Sequence, residues 1–243
     1  MRLAKLFSFF LLVFLFSLCS TPSDKNKEND LLILGIILFQ NDSVYEFASC
    51  QTSYQLNQVY VSGGFAERFI TDLKPYKNVF LGDSTASFYS EFPNFIDPKT
   101  TQNNATPGDT LCDYRSRFKK SIRSIPENIV ISTAGGNDIL KKVSNALIIE
   151  TFVDFHNSLK SHFPHSKITY VEVHRTFVDY ANAERKSIAY QMRAHSPDAC
   201  WIDPDPCFSN PLLASEMLDT IHPNQGPAFC IKNLIWNQCG VLL

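Results

Sequence analysis

Lys77-Asn78-Val79-Phe80-Leu81-Gly82-Asp83-Ser84 is a short apolar run that stops at a glycine and passes into a polar turn. Four consecutive residues without polar alternation fit a strand of a parallel sheet, buried on both faces. The same pattern recurs downstream. Asn128-Ile129-Val130-Ile131-Ser132 runs into the turn Gly135-Gly136, Ile168–Val173 forms a third run, and Cys200-Trp201-Ile202 a short fourth. Helix-like segments lie between and after them, at Asp113–Ile125, Ile139–Phe163, Asp179–His195 and Pro227–Trp236. Strands alternating with helices predict an α/β fold, a central parallel sheet with helices on both faces in three α/β/α layers.

The chain of 243 residues has the length of one such domain, and 44% hydrophobic residues, including 20 Phe, supply a core for it. A net charge of −2 exerts no long-range pull on polyanions, which argues against a nucleic-acid partner. The basic run Arg115–Arg123 reads as the solvated face of a helix.

The first residues read as an export signal: Arg2 and Lys5 precede the apolar stretch Leu6–Leu18. That stretch is too short to span a bilayer comfortably, so residues 1–19 are expected to be removed. Cys19 admits two readings. Leu15-Phe16-Ser17-Leu18-Cys19 resembles a loose bacterial lipobox, which would make Cys19 a lipidated first mature residue and a membrane attachment point. Alternatively, ordinary signal cleavage discards it. Residues 20–30 are polar and charged, as expected of a tether. Residues 31–243 are then read as a single domain whose motifs fall within 77–237. Leu31–Phe39 fits a buried strand or short core helix, and 40–75 carry no assignable pattern. The expected location is periplasmic, on the outer membrane as a lipoprotein, or extracellular.

Six cysteines besides Cys19 fit disulfides in an exported chain. Short loops suggest Cys200 with Cys207 and Cys230 with Cys239, leaving Cys50 for Cys112. The Cys and His spacings lack a zinc pattern, so no metal is expected.

Three polar blocks carry chemistry. Gly82-Asp83-Ser84 and Gly135-Gly136-Asn137-Asp138 each follow a predicted strand, at the carboxyl ends where open parallel sheets bind ligands. Asp219-Thr220-Ile221-His222-Pro223 comes last. Ser84 offers a hydroxyl nucleophile that needs a base. His222 titrates in the right range to be that base. Asp219 can hold its tautomer and stabilise the imidazolium. Asn137, the Ser84 N–H and the N–H of Gly108 can bind a developing oxyanion. Gly136 is read as the residue that lets the backbone turn before Asn137, and Asn224 as a cap for the following helix.

In these blocks and their order the chain resembles the SGNH hydrolases, also called the GDSL esterase/lipase superfamily. The resemblance covers roughly residues 77–237. Ser84 stands at the family's nucleophile, Gly108 and Asn137 at its oxyanion positions, and Asp219 and His222 at the remaining catalytic positions. It implies a flavodoxin-like fold, no cofactor, and hydrolysis of esters or thioesters through an acyl-serine. Two residues depart from the pattern: Thr85 replaces the Leu of GDSL, and Thr220 stands where Gly is common. The expected substrate is a small-molecule ester, a lipid or an acylated glycan. Acyl transfer would use the same residues, and a lipid-anchored binding protein could keep the fold without catalysis.

Other residues weigh less. His156, His162 and His165 read as solvent-exposed. His174 and Arg175 follow a predicted strand, and a pocket wall and a surface loop fit them equally. Asn41 and Asn104 stand in sequons that matter only in a eukaryotic secretory pathway. Asp203 and Asp205 read as loop residues without calcium.

Overall fold

Five strands lie side by side in the order β2-β1-β3-β4-β5, every pair parallel. The computed structural model describes residues 75–122 and 124–243. In chain order these are β1 (Asn78–Leu81), α1 (Ser84–Tyr89), β2 (Thr101–Asn103), α2 (Leu111–Ser121), β3 (Asn128–Ile131), α3 (Gly136–Leu140), α4 (Asn145–His162), β4 (Lys167–Val171), α5 (Asp179–Ala194), β5 (Cys200–Ile202) and α6 (Gln225–Cys239). The expected signal, the tether, Cys19, Leu31–Phe39, Asn41 and Cys50 all lie outside the described residues.

The period of two along each strand sorts side chains into two cores. Val79, Leu81, Ile129, Ile131, Ile168 and Tyr170 face the layer built by α2, α4 and α5. Phe80, Val130 and Val171 face α1 and α6, among Ala86, Tyr89, Ile231 and Ile235. Burial on both faces is why these strands read as unbroken apolar runs. Each such large side chain removed from water contributes roughly 1.5–3 kcal/mol. The result is a three-layer α/β/α sandwich with the flavodoxin-like strand order.

Helix starts follow the local chemistry. Thr110 and Asp113 form a reciprocal capping box at α2, and Ser144 accepts the Leu147 N–H at α4. The predicted helix Ile139–Phe163 is divided, because Lys142 adopts φ 58° and Ser144 begins a new helix. Asn224 caps α6, and Gly240 ends it at φ 67°.

The predicted disulfide loops are corrected. Cys200 bonds Cys239 and Cys207 bonds Cys230, joining β5 and the turn after it to α6. Cys230 and Cys239 both lie in α6, nine residues apart, a rise of about 13 Å. Bonded Cα atoms approach to roughly 4.4–6.8 Å, so the two cannot pair. Cys112 is disulfide-bonded as well, while its expected partner Cys50 is not among the described residues. Two disulfides suit an oxidising compartment. Among the described residues no helix is long and apolar enough to cross a membrane.

Candidate active site

The strand order reverses between β1 and β3, and the two motif-bearing turns leave those neighbouring strands. Leu81 pairs with Ile131, so the residues after each emerge side by side. This is the switch point at which open α/β sheets form a crevice.

Gly82 is fixed by packing. A Cβ there would lie 2.3 Å from the Ala86 Cβ and 3.4 Å from Ser132. Only glycine lets β1 turn so closely into α1. Asp83 caps that helix by accepting the Thr85 N–H at 2.9 Å, and the helix presents Ser84 at its first position. Burial pushes the Asp83 carboxyl up to about 6, against the pull of the Thr133 side chain, the Thr85 N–H and His222. Thr85, buried at the Leu position of GDSL, supplies that capping N–H.

In the second block the turn expected at Gly136 falls one residue earlier. Gly135 takes the left-handed turn at φ 87°. Gly136 allows a close approach, since a Cβ there would stand 3.2 Å from Asp83 Oδ2. Asn137 donates through Nδ2 to the Asp109 carbonyl at 2.8 Å, which orients its amide and leaves the second N–H of that group for another acceptor. Asp138, fully buried, accepts the Leu111 N–H at 3.0 Å and ties this turn to the start of α2. Gly108 holds φ 84°, and its carbonyl accepts the Lys141 ammonium at 3.1 Å. These bonds bring the Gly108 loop against the Asn137 turn.

Two members of the basic run, Arg115 and Arg117, are mostly buried and paired, while Lys119 is exposed as expected. Arg117 pairs with the buried Asp109 and also donates to the Asn104 carbonyl, bracing the loop that carries Gly108. Arg115 pairs with Asp154 at 2.6 Å. Burial raises the Asp109 carboxyl to about 7, with Arg117 opposing. Asn104 is itself buried and donates to the Ser121 carbonyl, which removes it as a sequon acceptor.

The third block returns after β5. Met217 and Pro223 form an antiparallel bridge, and the Leu218 N–H donates to the His222 carbonyl at 2.7 Å, closing a tight loop. Asp219 Oδ1 accepts the N–H groups of Ile221 and His222, at 2.7 and 2.8 Å. Asp219 Oδ2 lies 2.7 Å from His222 Nδ1, and His222 Nε2 lies 2.8 Å from Ser84 Oγ. Burial alone would raise the Asp219 carboxyl, but the hydrogen bonds from His222 and Ile221 hold it below its ordinary value. An ionised Asp219 fixes the proton on Nδ1, so Nε2 accepts the Ser84 hydroxyl proton. Thr220 has negative φ, so the turn does not require the glycine common at that position. Its carbonyl accepts the Phe177 N–H.

His174 is buried and donates from Nε2 to the Ile221 carbonyl at 2.7 Å, one residue before His222. Burial lowers its ring to about 4, so it is neutral. It lines the cleft beside Ser84 and Asn137. Arg175 stands within 3.6 Å of Asp205. Asp205 is committed to Arg185, Lys186 and Arg175, and Asp203 to Lys186. Among the described residues no group of His, Cys, Asp and Glu could hold a metal. His156 is buried, not exposed, between Tyr170 Oη and Asp198. His162 and His165 are exposed.

The fold is that of the GDSL/SGNH lipolytic hydrolases. A GDSL-like lipase from Bacteroides thetaiotaomicron superposes with a TM-score of 0.62 at 16% identity, over 71% of this chain and 94% of that one. A member of the lipolytic G-D-S-L family from Veillonella parvula gives 0.55 at 14%, over 68% and 98%. A psychrotrophic esterase from Pseudoalteromonas, in a structure inhibited by monoethylphosphonate, gives 0.51 at 12%, over 68% and 97%. No protein-family model matches the sequence, and no curated protein matches it significantly.

Proposed function

We propose that this protein is an exported serine hydrolase that cleaves carboxylic esters through an acyl-Ser84 intermediate. One observation carries the reading: Ser84, His222 and Asp219 form a continuous hydrogen-bonded chain at 2.8 and 2.7 Å, at the mouth of the β1–β3 crevice. Solved structures of the same fold are described as lipases and esterases, which supports the same chemistry.

Ser84 Oγ attacks the ester carbonyl while its proton passes to His222 Nε2. The imidazolium is stabilised by Asp219 and then gives that proton to the leaving alcohol. Water, deprotonated by His222, attacks the acyl-serine carbon; the acid leaves and Oγ regains its proton. The Asn137 amide and the backbone N–H groups of Ser84 and Gly108 hold the oxyanion in both steps. Cleavage of the amino-terminal signal, either before a Cys19 that is lipidated or after a Cys19 that is discarded, and a tether over 20–30 complete the proposed organisation.

The test is labelling by a fluorophosphonate together with turnover of nitrophenyl acetate. Ser84→Ala is expected to lose both while keeping the wild-type melting temperature. Hydrolysis undiminished in folded Ser84→Ala would refute the assignment.

A further inference from the structure

Resting on the hydrolase reading, we infer that the acyl side of this site accepts only short acyl groups, while the alcohol side is open to bulky alcohols. The cleft that begins at Ser84 and Asn137 is walled by Leu140, Val173, Ala181 and Ile221. Its cavity volume is about 20 Å³, little more than the roughly 10–15 Å³ a single water takes. Such a space takes a methyl or a short alkyl against those four aliphatic walls, with Thr133, His174 and Thr176 completing the lining.

The walls are tied together, so they do not part easily. Tyr180 Oη donates to the Leu140 carbonyl at 2.9 Å, joining the start of α5 to the end of α3. Asn182 bonds both the N–H and the carbonyl of Thr176, at 3.0 and 2.6 Å. His174 holds the Ile221 carbonyl. Three separate segments of the wall are thus pinned by side chains. The opposite side contrasts with this. Asp219 has 52% of its side chain exposed, and Phe177 and Leu218, whose backbones flank the His222 loop, are 45% and 48% exposed. An alcohol departing toward His222 meets the surface.

Nitrophenyl acetate, butyrate and octanoate, compared by kcat/KM, test this in the full-length protein. The expected result is a fall of about tenfold or more from butyrate to octanoate, since a pocket lacking room for a methylene discriminates on that scale. Leu140→Ala should raise octanoate relative to acetate by about tenfold or more, and Ala181→Leu should depress butyrate relative to acetate. Should Leu140→Ala fail to fold, Ala181→Leu carries the test. Octanoate turned over within tenfold of butyrate by the wild type overturns the inference, and so do unchanged ratios in the folded variants. Labelling with ethyl fluorophosphonate separates the two levels. A protein labelled at Ser84 that prefers octanoate refutes only the short-acyl assignment, whereas absence of both labelling and turnover refutes the hydrolase reading and this inference with it.

Discussion

The carboxyl of Asp83 is buried at the start of α1, accepts the Thr85 N–H, has the Thr133 side chain and the Ala86 N–H beside it, and stands where a Cβ on Gly136 would approach to 3.2 Å. Burial raises it from an ordinary 3.8 to about 6. At 1.36 kcal/mol for each tenfold change in proton affinity, that rise amounts to ~3 kcal/mol. Its sign follows from linkage. The folded protein binds this proton more tightly than the unfolded chain, so the contribution is fully present below about pH 4 and is lost as pH rises through about 6. At neutral pH the wild type therefore carries an ionised, desolvated carboxylate. Asp83→Asn keeps an oxygen for the Thr85 N–H, and Asn caps helices as well as Asp does. The variant has no charge to desolvate.

Asp83→Asn is accordingly expected to be more stable than the wild type at neutral pH by up to about 3 kcal/mol, with the gap closing toward pH 4. Urea unfolding at several pH values measures it, with the disulfides kept oxidised. Trp201, stacked on Tyr170 at 4.8 Å, provides the fluorescence signal. Carboxyls shifted the other way, such as Asp198, Asp205 and Asp219, are common to both proteins and cancel in the difference. A gap that does not change with pH, or one that favours the wild type at neutral pH, would refute the reasoning.

Gly82→Ala should cost at least about 1–3 kcal/mol, because its Cβ would overlap that of Ala86, and turnover should fall as Ser84 moves; an unchanged melting temperature would contradict this. Replacing Cys207 and Cys230 by Ser opens a loop with a sequence separation of 23 and should remove about 3 kcal/mol on chain-entropy grounds. Peptide mapping without reduction should link Cys207 to Cys230 and Cys200 to Cys239, and recovery of a Cys200–Cys207 peptide would overturn that connectivity. Arg117→Ala leaves the buried Asp109 without its cation; the electrostatic loss should be under about 1 kcal/mol at pH 7 and grow by about 1.4 kcal/mol for each pH unit above it until the variant's carboxyl ionises. Because Asp109 already titrates near 7, the loss should shrink on acidification, and a loss equal at all pH values would count against the pairing.

β1, β3 and β4 are legible in the sequence because burial on both faces removes polar alternation from them. β2 is not, since Thr101-Gln102-Asn103 sits at the sheet edge with only Thr101 buried and carries no apolar signature. Sheet order is equally invisible, yet it makes the site, by setting the turns after β1 and β3 side by side. The candidate catalytic residues were legible because their chemistry demands particular residue types, and Ser, Asn, Asp and His admit few substitutes in those roles. The residues that hold them were not. Arg117 and His174 act through burial and partners distant in sequence: Arg117 reads as a solvated charge, and for His174 a pocket wall and a surface loop fit equally until the fold encloses it.

Thr220 shows how the two kinds of information combine. A threonine at a position where glycine is common suggests a distorted turn around His222. The turn is instead built without a left-handed residue, because the Asp219 carboxylate gathers the Ile221 and His222 N–H groups and Phe177 supplies an N–H to the Thr220 carbonyl. The carboxylate that orients the imidazole thus also shapes the backbone presenting it. Removing that carboxylate would disturb the position of His222 as well as its tautomer, so the two contributions of Asp219 are coupled and do not add.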